Sequence, residues 1–407
     1  MNFIFVSPNF PVRYFKWVEA LHDHGVRVLG IGDSPSFDVH PRLQNALTEY
    51  YYVADLGNYQ KMLAACRYYE SKYGKIDYIE SDNEWWLTAD AKLRKALNVT
   101  SGFFPEDMEK IKAKSAMKEC FQAGGAKTMR YTLVDGPSDL EKAFSFITTV
   151  GYPVFVKPNV GVGASESFAL HDEAAVRKFL KKKLPETYIM EEYIEGTIVS
   201  FDGLCDSKGD VVFCTSDHFP TPVAKVVNEN LDYYYYNNPF SLPFVDLDGA
   251  AFERVGRAVV KAFGIRRRFF HIEFFLLTSD KPGFAKKGEF VALECNMRPA
   301  GGYTPDLIDY ANSVSCYEIY ADVICYDENR QDLSKEKFYA FAVARKDIYR
   351  YAHLENEIKE KYHDNLCMVG RYPPHMALAM GDTYFYAKFR KFEDGLAFDR
   401  FVREHQK

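Results

Sequence analysis

Two short runs of residues constrain this chain more than any other feature. In residues 269–277, His271 and Glu273 alternate with Phe270, Ile272 and Phe274; in residues 290–302, Glu294, Asn296 and Arg298 alternate with Leu293, Cys295 and Met297. Side chains point to opposite sides along a strand, so each run reads as a β-strand with one apolar and one polar face. A carboxylate, an amide and a guanidinium in a row are costly to bury unless they bind something. Glu273 and Glu294 stand 21 residues apart, room for two adjacent antiparallel strands with a loop through residues 282–288. Two carboxylates and an amide oxygen suit Mg²⁺, a hard cation that keeps phosphate oxygens in its shell. The competing reading is a structural salt bridge between Glu294 and Arg298; recurrence of the pattern on two runs favours the ligand set.

Upstream, the apolar residues 154–156 end in Lys157 and Pro158, and Gly161, Gly163, Ala164, Ser165 and Ser167 follow. Small residues let backbone N–H groups approach an anion, and a nearby lysine supplies counter-charge. The stretch has neither the G-K-[ST] ending of a P-loop nor the third glycine of G-x-G-x-x-G, and a glycine-rich hairpin competes with a phosphate cradle. Thirty residues on, apolar residues 188–190 run into Glu191, Glu192, Tyr193, Ile194, Glu195 and Gly196. Such a segment can offer backbone and carboxylate groups to an adenine and a ribose, or form a surface acidic turn.

Around these segments the chain alternates strands and helices. Residues 2–7, 26–31 and 76–79 read as strands, and a helical pattern between the first two ends at Gly25. That order predicts a small doubly wound parallel sheet, whose ligands sit beyond the C-terminal strand ends, at residues 7–9, 33–34 and 81–84. A boundary falls near residues 102–105. Beyond it, residues 108–121 read as helix, 128–134 as strand, and 140–149 as a helix capped by Ser138. After about residue 330 come a strand at 338–344, a helix at 354–362, and residues 376–389 with a turn between strands at Met380-Gly381-Asp382. The tyrosine run 233–236 reads as a loop, facing a substrate or packed on the surface. The basic triplets 181–183 and 266–268 read as solvated faces.

The order of these elements resembles the ATP-grasp superfamily, in particular short chains similar to the carbamoyl-phosphate synthase large subunit and to carboxylate–amine ligases. The matching span is residues 105–312. The resemblance implies an α/β, Rossmann-like pre-ATP-grasp domain at 1–104. It implies an α+β ATP-grasp domain at 105–320, with two subdomains clasping the nucleotide and the lid at about 127–193, and a small α+β C-terminal region at 321–407. It further implies that Lys114 and Lys157 hold nucleotide phosphates under the loop of Gly161, Gly163, Ala164 and Ser165. Adenine would lie on Glu191, Glu192 and Ile194; the metal on Glu273, Glu294 and Asn296; and the transferred phosphoryl group against Arg298, with Lys157 also catalytic. One position departs from the pattern: Ile198 stands where many members have an acid for ribose, leaving Glu195 or Asp202 for that contact. Glu84 and His271 are candidate substrate residues, His271 being equally readable as a core histidine.

The implied activity is an ATP- and Mg²⁺-dependent ligase, with Mn²⁺ as an alternative ion, that turns a small carboxylate into an acyl phosphate for attack by an amine or another nucleophile. A bicarbonate-activating enzyme and a non-catalytic nucleotide binder are the alternatives. The 407 residues show no internal repeat, so one ATP-grasp copy fits and the two of a full carbamoyl-phosphate synthase do not. With 51 basic against 57 acidic residues the chain is no general nucleic-acid binder. No apolar run approaches the roughly 18 residues that span a membrane, and the first ten residues do not read as a signal peptide. Eight cysteines without a C-x-x-C pair predict free, buried thiols in a reducing cytoplasm. A homodimer is compatible with all of this. The 16% aromatic content, with 33 Phe and 29 Tyr, predicts a well-packed interior.

Overall fold

A computed structural model describes residues 1–161 and 166–406. Its N-terminal sheet is parallel and contains β1 (Asn2–Val6), β2 (Arg27–Gly32), β3 (Glu49–Tyr52) and β4 (Tyr78–Glu80), in the order β3-β2-β1-β4. The apolar run of β1 is continuous because both its faces are covered. Phe3 and Phe5 pack with Trp17, Val18 and Leu21 of the helix Phe15–Asp23, whereas Ile4 and Val6 pack with Met62, Ala65 and Tyr69 of the helix Tyr59–Tyr73.

A small antiparallel sheet follows, made of β5 (Tyr131–Val134), β6 (Val154–Pro158), β7 (Phe168–Leu170) and β8 (Tyr188–Glu192), in the order β5-β8-β6-β7. Its core joins Val134, Val154 and Val156 to Ile147 and Val176 of two covering helices. The helix Leu140–Val150 begins after a short 3₁₀ turn, and Ser138 makes no cap to it.

The third sheet has eight strands: β9 (Gly196–Cys205), β10 (Val211–Phe219), β11 (Tyr233–Asn238), β12 (Arg268–Leu277), β13 (Phe290–Asn296), β14 (Tyr339–Arg345), β15 (Leu366–Arg371) and β16 (Thr383–Phe389). Their order is β13-β12-β9-β10-β11-β14-β16-β15, and every pairing is antiparallel. The helix Gly249–Phe263 lies on one face, packing Phe252 and Val259 against Phe201, Phe270 and Phe274. Gly256 is required there, since a Cβ would lie 2.5 Å from the Phe201 ring. The parallel α/β sheet at the N-terminus followed by α+β layers is the expected fold class, but the C-terminal strands β14, β15 and β16, expected as a small region of their own, join the large sheet through β11.

Several local expectations are corrected. The tyrosine run 233–236 is not a loop but lies in β11, in the interior of the large sheet. Met380-Gly381-Asp382 joins the helix Pro374–Met380 to β16, rather than two strands. Arg268 is no solvated residue: it is 1% exposed and bonds Glu80 of β4 at 3.0 Å, tying the N-terminal sheet to the large one, whereas residues 181–183 are exposed. All eight cysteines are free, with Cys66, Cys205, Cys295 and Cys316 buried. Among the described residues no helix is long and apolar enough to cross a membrane.

Candidate active site

The two polar strands of the sequence pair as antiparallel neighbours, with Glu273 opposite Glu294 and His271 opposite Asn296. β9 flanks β12 on its other side and sets Asp202 beside His271 and Ser200 beside Glu273. His271 bridges the two strands, with Nδ1 2.6 Å from Asp202 Oδ1 and Nε2 3.2 Å from Glu273 Oε1. Burial opposes charge on this imidazole, but the facing carboxylates outweigh it and push its pKa up to about 10. His271 is thus an imidazolium at neutral pH. Burial would also raise Glu273, but His271 outweighs it and holds that carboxyl below its ordinary value.

The polar chain continues inward. Ser200 Oγ donates to Asp202, Asn237 Nδ2 donates to Asp217 Oδ1 at 2.9 Å, and Thr215 Oγ1 donates to Asn237 Oδ1 at 2.7 Å. Burial, then the Asp202 charge, pushes Asp217 well above the carboxylate range. Asp202, open as a ribose contact from the sequence, is 1% exposed and engaged by His271 and Ser200.

The opposite wall comes from the small sheet and from the helix Lys114–Ala123. The expected helix 108–121 is broken at Ala113, which is extended and bridges Val160. Lys114 N–H donates to Asn159 O at 2.8 Å, and Ser115 N–H to Asn159 Oδ1 at 2.9 Å. The break directs Lys114 inward, where Nζ lies 3.1 Å from Gly161 O and 3.2 Å from Glu294 Oε1. On β6, Lys157 Nζ is 2.9 Å from Glu191 Oε2, while Lys118 Nζ, one helical turn from Lys114, is 2.6 Å from Glu191 Oε1. Burial would raise the Glu191 pKa, but Lys157 and Lys118 outweigh it and hold it near 2. Burial likewise works against the Lys157 charge, and Glu191 and Glu294 overcome it, raising its pKa.

Glu192, beside it, gives its carboxylate to Arg130: Oε1 accepts from the Arg130 backbone N–H at 2.9 Å and Oε2 from Nη2 at 2.7 Å. Ile194 is buried just beyond β8. Gly161 is in place beside Lys114, whereas Gly163, Ala164 and Ser165 lie outside the described residues. Arg298, beyond β13, faces the N-terminal sheet: its guanidinium is 3.4 Å from Glu84 Oε2, and Glu84 is 6% exposed. The salt bridge weighed for Glu294 and Arg298 is therefore replaced by two others, Glu294 with Lys114 and Arg298 with Glu84.

The donor set fits a magnesium ion. Among the described residues no group of three or more His, Cys, Asp and Glu forms a metal cage. Mg²⁺ needs none, since it binds through one or two carboxylates and completes its shell with water and substrate phosphates. Glu273 and Glu294 supply two, with the Asn296 amide next along β13. Burial, with Glu273 and Glu84 nearby, raises the Glu294 pKa despite Lys114 and Lys157. Such a carboxyl is relieved by a cation.

Reasoning from sequence missed Lys118, Arg130 and Asp217. Lys118 had a signal, four residues after Lys114 on one helix face; Arg130 had none, its partner being 62 residues away.

No protein-family model matches the chain. The L-arginine-specific L-amino acid ligase of Bacillus subtilis is 24% identical over 263 residues, 63% of this chain and 59% of that protein. The chain thus matches about three-fifths of the length of that curated relative. The crystal structure of L-amino acid ligase from Bacillus licheniformis superposes with a TM-score of 0.71 at 16% identity, covering 100% of this chain and 99% of that one. The biotin carboxylase domain of Hydrogenobacter thermophilus 2-oxoglutarate carboxylase, in complex with MgADP and bicarbonate, gives 0.69 at 15% identity over 98% of this chain and 88% of that one. Over 98–100% of its length the chain shares the ATP-grasp fold of these solved structures.

Proposed function

We propose that the chain is an ATP-dependent ligase that joins a small-molecule carboxylate, in the first instance an amino acid, to an amine. The reading rests on one observation: Lys114 and Lys157, both buried, converge on the half-buried Glu273–Glu294 pair where the small and large sheets face each other. Lysines set beside paired carboxylates suit a polyphosphate with its metal. Lys114 and Lys157 hold the phosphates. Glu273, Glu294 and Asn296 would hold Mg²⁺, which supplies charge neutralisation on the phosphoryl oxygens. With the Glu192 carboxylate committed to Arg130, the adenine edge falls to the main chain of Glu192 and Ile194.

A substrate carboxylate oxygen attacks the γ-phosphorus, the bond to the bridging oxygen breaks, and ADP leaves. The amine then attacks the acyl carbon, phosphate departs, and the amine loses a proton. Arg298 steadies the phosphoryl charge, and Glu84 orients the guanidinium. The protein contributes positioning and fixed charge, which need no covalent enzyme intermediate. The test is ADP formation from ATP and Mg²⁺ with amino acids and small carboxylates supplied in pairs, with the ligated product identified by mass. ADP release that requires two partners and yields an amide is expected. ADP release with bicarbonate alone, or nucleotide binding without turnover on any pair, would replace the proposal.

A further inference from the structure

The large sheet carries a second concavity, on the face away from Glu273. Glu273 pairs with Ser200 and Ser200 with Asp217, so these three share a face. His218, next along β10, points to the other. Around it lies a cavity of about 180 Å³, walled by Tyr234, Tyr236 and Phe392 and bordered by Asp246 and Lys287. The His218 ring stacks on Tyr236 at 4.7 Å with 10° between the planes. It is 4% exposed, and its Nε2 lies 3.3 Å from Ser216 Oγ. Its Nδ1 has no partner among the described residues. Burial keeps this imidazole neutral, with its pKa pushed down to about 3. The Nδ1 nitrogen is not sealed from solvent, and His218 lines the cavity, so a ligand there can bond it.

The border is charged and open. Asp246 and Lys287 are exposed, and neither side chain is held in a salt bridge among the described residues. One negative and one positive group over an aromatic base are complementary to an amino-acid zwitterion whose flat side chain points inward. We infer that this far-face cavity is an effector site for an aromatic amino acid with a polar ring edge, separate from the catalytic cleft. The ligand carboxylate meets Lys287, its ammonium meets Asp246, and its ring lies among Tyr234, Tyr236 and Phe392 with the polar edge at His218 Nδ1.

The inference stands apart from the proposed ligase reaction, and calorimetric titration of the full chain with L-tyrosine tests it. One saturable site is expected. Lys287→Glu and Asp246→Lys, both at exposed positions, should each weaken it by about tenfold. L-Phenylalanine should bind less tightly than L-tyrosine. His218→Phe keeps the ring stack and removes the nitrogen, and should bring the two affinities together. Arg298→Ala, in the catalytic cleft, should leave the affinity unchanged. Absence of L-tyrosine binding to a chain with an intact circular dichroism spectrum would overturn the inference. Binding that Arg298→Ala abolishes and the two border variants leave untouched would also overturn it, because the amino acid would then sit in the catalytic cleft.

Discussion

Glu191 shows how the site depends on single charges. It is 1% exposed and lies between Lys118 and Lys157, so its carboxylate is the counter-ion for two buried ammonium groups. Breaking a buried pair costs more than the pair contributes, because a charge is left uncompensated. Glu191→Gln should therefore destabilise the fold by about 3–5 kcal/mol, read as a lowered urea midpoint; an unchanged midpoint would mean that the lysines find other partners. Glu294 is the opposite case. It stands near Glu273 and Glu84, and burial already disfavours its charge. Lys114, its ion-pair partner, keeps the Gly161 carbonyl, so Glu294→Gln should leave the urea midpoint close to that of the parent chain while ADP formation falls by at least about 100-fold. The two variants separate a carboxylate that holds the fold from one kept for chemistry. The strand positions of Glu273, Glu294 and Asn296 were legible in the sequence because a period-two alternation of polar and apolar residues has few explanations, whereas Arg298 lies past the end of β13 and owes its place to the turn that follows. Arg130 was not legible, because its importance comes from Glu192, which only the fold brings near.

The elements that carry these residues are held by close strand contacts. Gly203 in β9 lies under the Phe213 carbonyl, and a Cβ there would collide with that backbone oxygen and come within 2.8 Å of Phe270 Cζ. The bulge between Val211 and Phe213 on β10 creates this approach. Neither backbone can yield without moving Ser200 and Asp202, three and one residues before Gly203 on β9. Gly203→Ala should cost about 1–3 kcal/mol by overpacking. It should also lower ADP formation at temperatures where the fold is intact. A melting temperature equal to that of the parent chain would show that the strands spread at no cost. Elements with clean periodicity were legible, β12 and β13 above all. β3 was missed because Glu49–Tyr52 is only half-buried on both sides and so shows no alternation. β11 was misread because its four tyrosines look uniform, yet Tyr233 and Tyr235 enter one core and Tyr236 another. The break at Ala113 left no mark in a sequence of good helix formers, since it is imposed by pairing with Val160.

At the scale of the molecule, strand order was beyond sequence reasoning. β14, β16 and β15 extend the large sheet beyond β11, so the C-terminal strands continue the sheet that carries the site. Nothing local announces that a strand near residue 340 pairs with one near 235. The same holds for the junction of the N-terminal and large sheets, where Glu80 bonds both Arg94 at 2.7 Å and Arg268 at 3.0 Å. Asp90 lies in this junction, fully buried, accepting from Ser81 Oγ at 2.6 Å through one oxygen while the other has no partner. Burial, reinforced by Glu80 and opposed by Arg94, pushes its pKa from 3.8 to about 7. In the unfolded chain Asp90 ionises first, so between about pH 4 and 7 the folded state binds more protons and loses stability as pH rises. Above pH 7 the loss is complete; below pH 4 both states are protonated and it vanishes. Asp90→Asn removes this contribution while keeping an acceptor for Ser81. The variant should match the parent chain near pH 4 and exceed it above pH 7, by up to about 4 kcal/mol for three pKa units. Urea midpoints measured across that range decide the matter. Other buried acids, such as Asp82, slope both profiles alike, so the difference isolates Asp90. Parallel profiles would mean that Asp90 stays ionised in the junction and that Arg94, not burial, dominates its surroundings.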